Sequence, residues 1–311
     1  MTILPGKRVL LTGGGGFIGR HAIERLVGRG YDVHAVARQD QPAVRGEGVT
    51  WHVGDLLNDA FQQSLIAVVR PTHLLHLAWY TAHGKYWTAQ ENLDWVLASV
   101  TLARYFVLAG GRRLVGAGTC AEYDWTNESC FAESAATRPA TLYGVCKNGV
   151  REIVERYSST HGASSAWGRL FFLYGPGEPA ARLVPSLVGP LLRGERAECR
   201  YGDHVRDFLH TADAAAAFVA LLDSEVTGAV NIASGRPCSL GMMARTIARK
   251  LSRPALLHVE SRVATSDNPA RLTADVQRLS SEVGWRPHFD LDSGLDDVLQ
   301  SYLVRSERVL C

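Results

Sequence analysis

The chain has 311 residues, 46% hydrophobic and 21% charged, with 30 glycines and 12 prolines. That is ordinary globular usage; it excludes collagen-like and disordered classes and, at roughly 100–200 residues per domain, allows two domains or one large α/β unit with an added lobe. The 33 Lys and Arg against 31 Asp and Glu leave a net charge of +2, so no global field points to nucleic acid or an acidic membrane, and an anionic ligand must be met by local arginines. Lysine is confined to positions 7, 85, 147 and 250. The longest apolar run, residues 214–222, is far short of the ~18 residues of a membrane span, and the N-terminal stretch has no secretory pattern; a soluble, cytoplasmic protein is expected. Cys120, Cys130, Cys146, Cys199, Cys238 and Cys311 form no Cys-x-x-Cys pair and have no accompanying His spacing, which predicts free thiols and no metal site.

Short β-rich runs at 8–12, 32–37, 50–53, 73–77, 113–117 and 165–172 alternate with helical patterns at 17–29, 59–69, 87–108 and 139–159. Apolar runs this short, separated by helix-length segments, predict parallel strands with crossover helices, a doubly wound α/β unit. Beyond Tyr174-Gly175-Pro176-Gly177 the alternation breaks down, with helices expected at 180–193, 212–223, 240–251 and 295–304. Residues 1–172 are therefore expected to form the Rossmann-type domain, with 203–232 returning to it. Residues 173–202 and 233–311 would form a smaller lobe over the carboxyl edge of the sheet, where open α/β folds bind ligands. No linker or repeat is visible.

The first strand runs straight into Gly13-Gly-Gly-Gly16-Phe17-Ile18-Gly19 and then a helix. Glycines at 13, 16 and 19 supply a tight turn, close approach of backbone to a pyrophosphate, and close packing of helix on strand, so this run predicts a dinucleotide site. An NAD-specific site would end the second strand in Asp or Glu; here stand Ala37 and Arg38. Arg38 could pair with a 2′-phosphate, favouring NADP(H); alternatively Asp40 serves the ribose and NAD(H) is bound.

Read together, Thr12-Gly-Gly-x-Gly-Phe-Ile-Gly19 and Tyr143-x-x-x-Lys147 resemble the extended short-chain dehydrogenase/reductase family, the NAD-dependent epimerase/dehydratase group. Other landmarks in the family's order are Asp55-Leu56, where the adenine is usually held, His76-Leu-Ala78, Asn92, Tyr174-Gly-Pro-Gly177 and Arg206-Asp-Phe-x-His210. The standard form has a second alanine where this chain has Trp79. The resemblance implies that Tyr143 is the proton donor, that Lys147 holds the ribose and tunes Tyr143, and that Thr119 steadies the reacting oxygen. Four residues apart on a helix, Tyr143 and Lys147 share a face, and an ammonium beside the phenol is expected to favour phenolate. Cys120-Ala121 stands where the family's 4,6-dehydratases have Asp-Glu, which argues against dehydration. Asp124 replaces a usual glycine, and Phe172 replaces the asparagine common in epimerases.

For a nucleotide-sugar substrate the resemblance places Arg206 at the diphosphate, with Arg182, Arg262 and Arg271 in segments that close over the nucleotide. His83, Lys85, Tyr86 and Trp125 fall in loops at the carboxyl edge as pocket candidates. The leading expectation is NADPH-dependent reduction of a nucleoside-diphosphate 4-keto-6-deoxyhexose. A 4-epimerase with tightly bound NAD is the runner-up, and a non-catalytic NADP-binding redox sensor a remote third. The resemblance also implies a homodimer built on the helices at 87–108 and 139–159, whose apolar positions include Leu93, Val96, Val100, Val107, Val150 and Val154.

Overall fold

The computed structural model describes residues 6–39, 48–126, 130–265 and 268–309. Its centre is a parallel seven-stranded sheet of β1 (Arg8–Thr12), β2 (Asp32–Ala37), β3 (Val49–Val53), β4 (His73–His76), β5 (Arg113–Thr119), β6 (Ser164–Leu170) and β7 (Gly228–Ile232), in the order β7-β6-β5-β4-β1-β2-β3. The order reverses between β1 and β4, and at such a switch point the strand ends open a crevice. Both faces of the sheet are covered, so the middle of β1 is apolar: Val9 and Leu11 face one core, with α1 (Gly19–Gly28) and α6 (Thr211–Asp223). Leu10 faces the other, with α2 (Asp59–Val69), α3 (Glu91–Leu108) and α4 (Leu142–Thr160). Alternation of side chains across a strand produces this division.

Several predicted boundaries move, among them the last helix, expected at 295–304 and found at Leu291–Val309; four of the shifts bear on the site. Helix α3 starts at Glu91, not 87, because buried Asn92 donates its amide to the carbonyls of Tyr86 (2.7 Å) and Ala89 (2.8 Å), fixing a non-helical entry. Helix α4 starts at Leu142, where Thr141 accepts from the Gly144 N–H at 3.1 Å as its N-cap. Strand β5 runs on to Thr119, in register with β6 throughout. The expected strand 165–172 splits: after Leu170 the chain leaves the sheet, and Phe172–Tyr174 pairs in parallel with Phe208–His210.

The second lobe packs α5 (Leu183–Leu192), α7 (Leu240–Lys250) and α8 (Leu291–Val309) through Val184, Leu187, Leu191, Met243, Ile247, Leu295 and Val298. A small sheet of Cys130–Phe131, Arg271–Ala274, Val205–Arg206 and Cys238–Ser239 lies beside it. Residues 203–232 thus divide: β7 and α6 join the large sheet, while Val205–Arg206 joins the small one. Cys120, Cys130, Cys146, Cys199 and Cys238 are free thiols, and Cys311 lies outside the described residues. No helix of the described residues is long and apolar enough to cross a membrane.

Candidate active site

A cleft of about 780 Å³ opens along the carboxyl ends of the central strands. At one end is the glycine loop. Gly13 adopts φ +69° and its carbonyl accepts from Gly16 N–H at 2.9 Å. A Cβ on Gly19 would overlap that carbonyl and the Gly14 Cα, so only glycine lets α1 start against the turn. The loop and the first turn of α1, which carries no acidic side chain, form a cradle of the kind that accepts a pyrophosphate. Thr12 ties this loop to β4: its hydroxyl accepts from the N–H groups of Leu77 (3.1 Å) and Ala78 (3.2 Å) and lies 2.8 Å from His76 Nδ1. With two N–H groups already donated to it, the hydroxyl gives its proton to Nδ1, leaving Nε2–H for Ser99 Oγ at 2.9 Å. Burial and the Lys147 charge push the His76 pKa down to about 3, so the ring is a neutral strut.

Gly13, Gly16, Phe17, Ile18, Gly19, Arg38, Asp55, Leu56 and Ala78 all line the cleft. Arg38 is exposed at its rim; Asp40 lies outside the described residues. Asp55 Oδ1 accepts from Leu57 N–H at 3.0 Å, which fixes the loop after β3.

Thr119, Tyr143 and Lys147 line the same cleft, all buried. Lys147 Nζ donates to Ala117 O at 2.7 Å and sits 3.9 Å from the Trp79 ring centroid. Desolvation pulls its pKa down to about 7, opposed by Glu122. The Tyr143 hydroxyl is pushed well above its usual range, by burial first and then by Tyr86, while Thr119 opposes this. The Lys147 ammonium is turned to the Ala117 carbonyl and not to the phenol, so in this arrangement burial sets the direction and the neutral phenol is favoured.

Glu122 is a functional neighbour that sequence reasoning misses. Fully buried, it accepts from Thr119 N–H (2.9 Å) and Trp167 Nε1–H (2.9 Å) on one oxygen and from Arg169 Nε–H (2.8 Å) on the other. The available signal is Thr119-x-x-Glu122, a capping box opening the short turn Cys120–Glu122. The same group explains Gly118: a Cβ there would collide with Trp167 and Glu122.

The substrate side is aromatic. Tyr86, Trp87 and Trp125 join Trp79, Trp95 and Phe172 in the lining, and Trp125 Nε1–H donates to Cys120 O at 2.9 Å. Tyr86 and Trp87 both meet the Tyr143 ring edge-on. Arg182 also lines the cleft, and its buried Nε has no hydrogen-bond partner among the described residues. His83 is exposed near Arg182 and does not line the cleft; its pKa is lowered by partial burial and by Arg182. Other candidates fall away from the cleft. Lys85 and Arg271 are exposed and do not line it. Arg262 is exposed against Glu260 and Tyr201. Arg206 is buried behind Phe172, donating to Asn268 Oδ1 at 2.6 Å and to the Val205 carbonyl at 2.8 Å. Asp207 accepts from the N–H groups of Ser234 and Gly235 and acts as a loop anchor. No cluster of three His, Cys, Asp or Glu side chains able to hold a metal occurs among the described residues.

A doubly wound sheet with a glycine cradle at its switch point and a Tyr-x-x-x-Lys helix lining the same cleft defines a dinucleotide-binding, dehydrogenase-like fold. The sequence pattern of the NAD dependent epimerase/dehydratase family matches residues 9–233, and the chain belongs to that family. It is 24% identical to a dTDP-L-rhamnose 4-epimerase from Burkholderia thailandensis, over 98% of this chain and 97% of the relative. It is also 24% identical to the dTDP-4-dehydro-6-deoxyglucose reductase of Escherichia coli, over 94% and 96%. The UDP-glucose 4-epimerase of Thermus thermophilus, solved in complex with NAD, shares the fold with a TM-score of 0.82 at 22% identity, over 95% of this chain and 99% of that one.

Proposed function

We propose that this chain is an oxidoreductase acting on a nucleotide sugar, and within that class an NADPH-dependent reductase of the 4-keto group of a nucleoside-diphosphate 4-keto-6-deoxyhexose. The observation that carries the reading is the convergence of Thr119, Tyr143 and Lys147 in the same cleft that the glycine cradle lines. The bound nicotinamide would supply the hydride. Gly13, Gly16 and Gly19 would take its pyrophosphate, Asp55 and Leu56 the adenine side, and Lys147 the ribose near the reacting ring.

Tyr143 enters as an acid, because its buried hydroxyl keeps its proton. It donates that proton to the carbonyl oxygen as negative charge develops there, with the Thr119 hydroxyl steadying the same oxygen. Arg182 offers an uncommitted buried donor for the diphosphate. The walls of Tyr86, Trp87 and Trp125 suit the apolar face of a deoxyhexose. Cys120 and Ala121 provide no acid–base pair for eliminating water. Arg38 next to Ala37 favours a 2′-phosphate, and the E. coli reductase supports net reduction. The epimerases among the relatives favour a second reading, 4-epimerisation by the same groups with retained NAD.

The test follows NADPH and NADH absorbance against dTDP-, CDP-, GDP- and UDP-4-keto-6-deoxyhexoses. Stoichiometric oxidation is expected, preferring NADPH by about tenfold through Arg38. Tyr143→Phe should cut it by roughly 100- to 10,000-fold. Sugar interconversion without net NADPH loss replaces the reductase by the epimerase, and cofactor binding with no turnover of any sugar overturns both.

A further inference from the structure

Immediately after Ala78 the chain departs from the family pattern, with an indole where a second alanine is standard. Trp79 lines the cleft, and its ring centroid lies 3.9 Å from Lys147 Nζ. The indole is itself fixed. Its Nε1–H donates to Asn92 Oδ1 at 2.8 Å, and the fully buried Asn92 spends its amide on the Tyr86 and Ala89 carbonyls. Trp95 packs alongside, 6.1 Å between centroids. We propose that Trp79 is a positioning residue for Lys147, its indole face holding the buried ammonium, in charged form, at the reacting end of the cleft.

Beyond a second, more distant indole, Trp167 at 5.9 Å, the surroundings give the ammonium little else. Lys147 makes no ion pair among the described residues, and its one hydrogen bond is to Ala117 O. Glu122, reached through the turn after β5, favours its charge, but that carboxylate is already bonded to Arg169 of β6. His76 of β4 stays neutral down to about pH 3, the Cys120 thiol is pushed up to about 12, and the Tyr143 phenol on the same helix is pushed higher still. None of these neutral groups balances a buried cation, and burial draws the Lys147 pKa down to about 7. A π face at contact distance in a desolvated site is then a substantial share of what keeps the amine protonated. The link to cofactor ribose rests on the function proposed above; the ring–ammonium contact does not.

With only four lysines in the chain, NMR of protein labelled with 13C-lysine resolves the side chain directly, Lys147 being assigned by its loss in Lys147→Met. In the wild type its ε-CH2 protons should be shifted upfield by the indole ring current, and its titration midpoint should lie below those of the other three. Trp79→Leu should remove most of the upfield shift, leaving only what the more distant Trp167 contributes, and lower the midpoint further, by about one pH unit, a tenfold change in protonation. Trp79→Phe, which keeps a weaker π face, should fall between. In calorimetric titrations with NADPH and NADH, Trp79→Leu should lose affinity at lower pH than the wild type. An unshifted Lys147 signal overturns the contact, a measurement needing no variant. A midpoint in Trp79→Leu or Trp79→Phe at or above the wild-type value overturns the charge-holding role and leaves the ring as packing. No sugar enters these measurements, so failure of the reductase panel does not affect them.

Discussion

Glu122 and Arg169 form an ion pair with both side chains at or near zero exposure, and such a pair survives because each carboxylate oxygen has a donor. Glu178 is the opposite case. Its Oε2 is buried with no hydrogen-bond partner among the described residues, and burial raises its pKa to about 8, with Arg182 pulling the other way. A carboxyl that ionises near 4.5 when unfolded and near 8 when folded binds more protons in the native state between those values. Its stabilising contribution is therefore complete below about pH 4.5 and lost as pH rises through 8. Glu178→Gln should match the wild type in thermal stability at pH 5 and exceed it at pH 8, by about 2 °C or more; equal melting temperatures at both pH values would refute the assignment. Sequence order alone marks neither acid. Glu122 shows itself only through its capping box, and Glu178 is distinguished only by what surrounds it.

At the scale of elements, the glycine loop and α1 were legible because their requirement is local: a tight turn, then a helix packed against it. Gly19 and Gly28 stand at the two ends of α1 but differ in space. A Cβ on Gly19 overlaps backbone of the turn, whereas nothing lies within 4 Å of one on Gly28. Gly19→Ala should displace the loop, costing about 1–3 kcal/mol of stability and weakening cofactor affinity by roughly tenfold or more, about 1.4 kcal/mol per decade. Gly28→Ala should be neutral or stabilising by up to about 1 kcal/mol. Chemical denaturation and cofactor titration of the two variants check the pair, and similar behaviour of both would contradict this account. The start of α3 at Glu91 was not legible, because Thr88-x-x-Glu91 has capping-box spacing that would start the helix earlier, whereas in the structure the cap residue is Gln90 and makes no side-chain cap bond. Asn92 binds the Tyr86 and Ala89 carbonyls and so holds the preceding residues out of the helix. That entry is what delivers Tyr86 and Trp87 to the Tyr143 ring.

For the whole molecule, assembly depends on which apolar positions the monomer leaves uncovered. Val107, Val150 and Val154 are buried, and Val96 and Val100 pack on the core between α3 and α4, so those positions carry no signal for assembly. Leu93 remains exposed, joined by Leu97 (70% exposed) and Leu108 on α3 and by Val145 and Ile153 on α4. We propose that this outer stripe meets a second copy of the chain. Leu97→Glu with Ile153→Glu should convert a dimer to a monomer in light scattering at micromolar concentration, with the fold retained by circular dichroism; a wild-type monomer would remove the proposal.

The sequence by itself determined the alternation of strands and helices, the glycine cradle and the Tyr143–Lys147 pair, because each is written in residues adjacent or one helical turn apart. Tertiary structure alone decided which arginines face the cleft, leaving Arg182 on its wall and turning Arg206 to Asn268. It also decided that the Tyr143 hydroxyl is buried, which pushes its pKa up, and that Trp79 covers Lys147. Solvation and long-range packing govern these outcomes: the cost of charging a phenol or an amine depends on every group around it, and those groups come from strands and helices far apart in the chain.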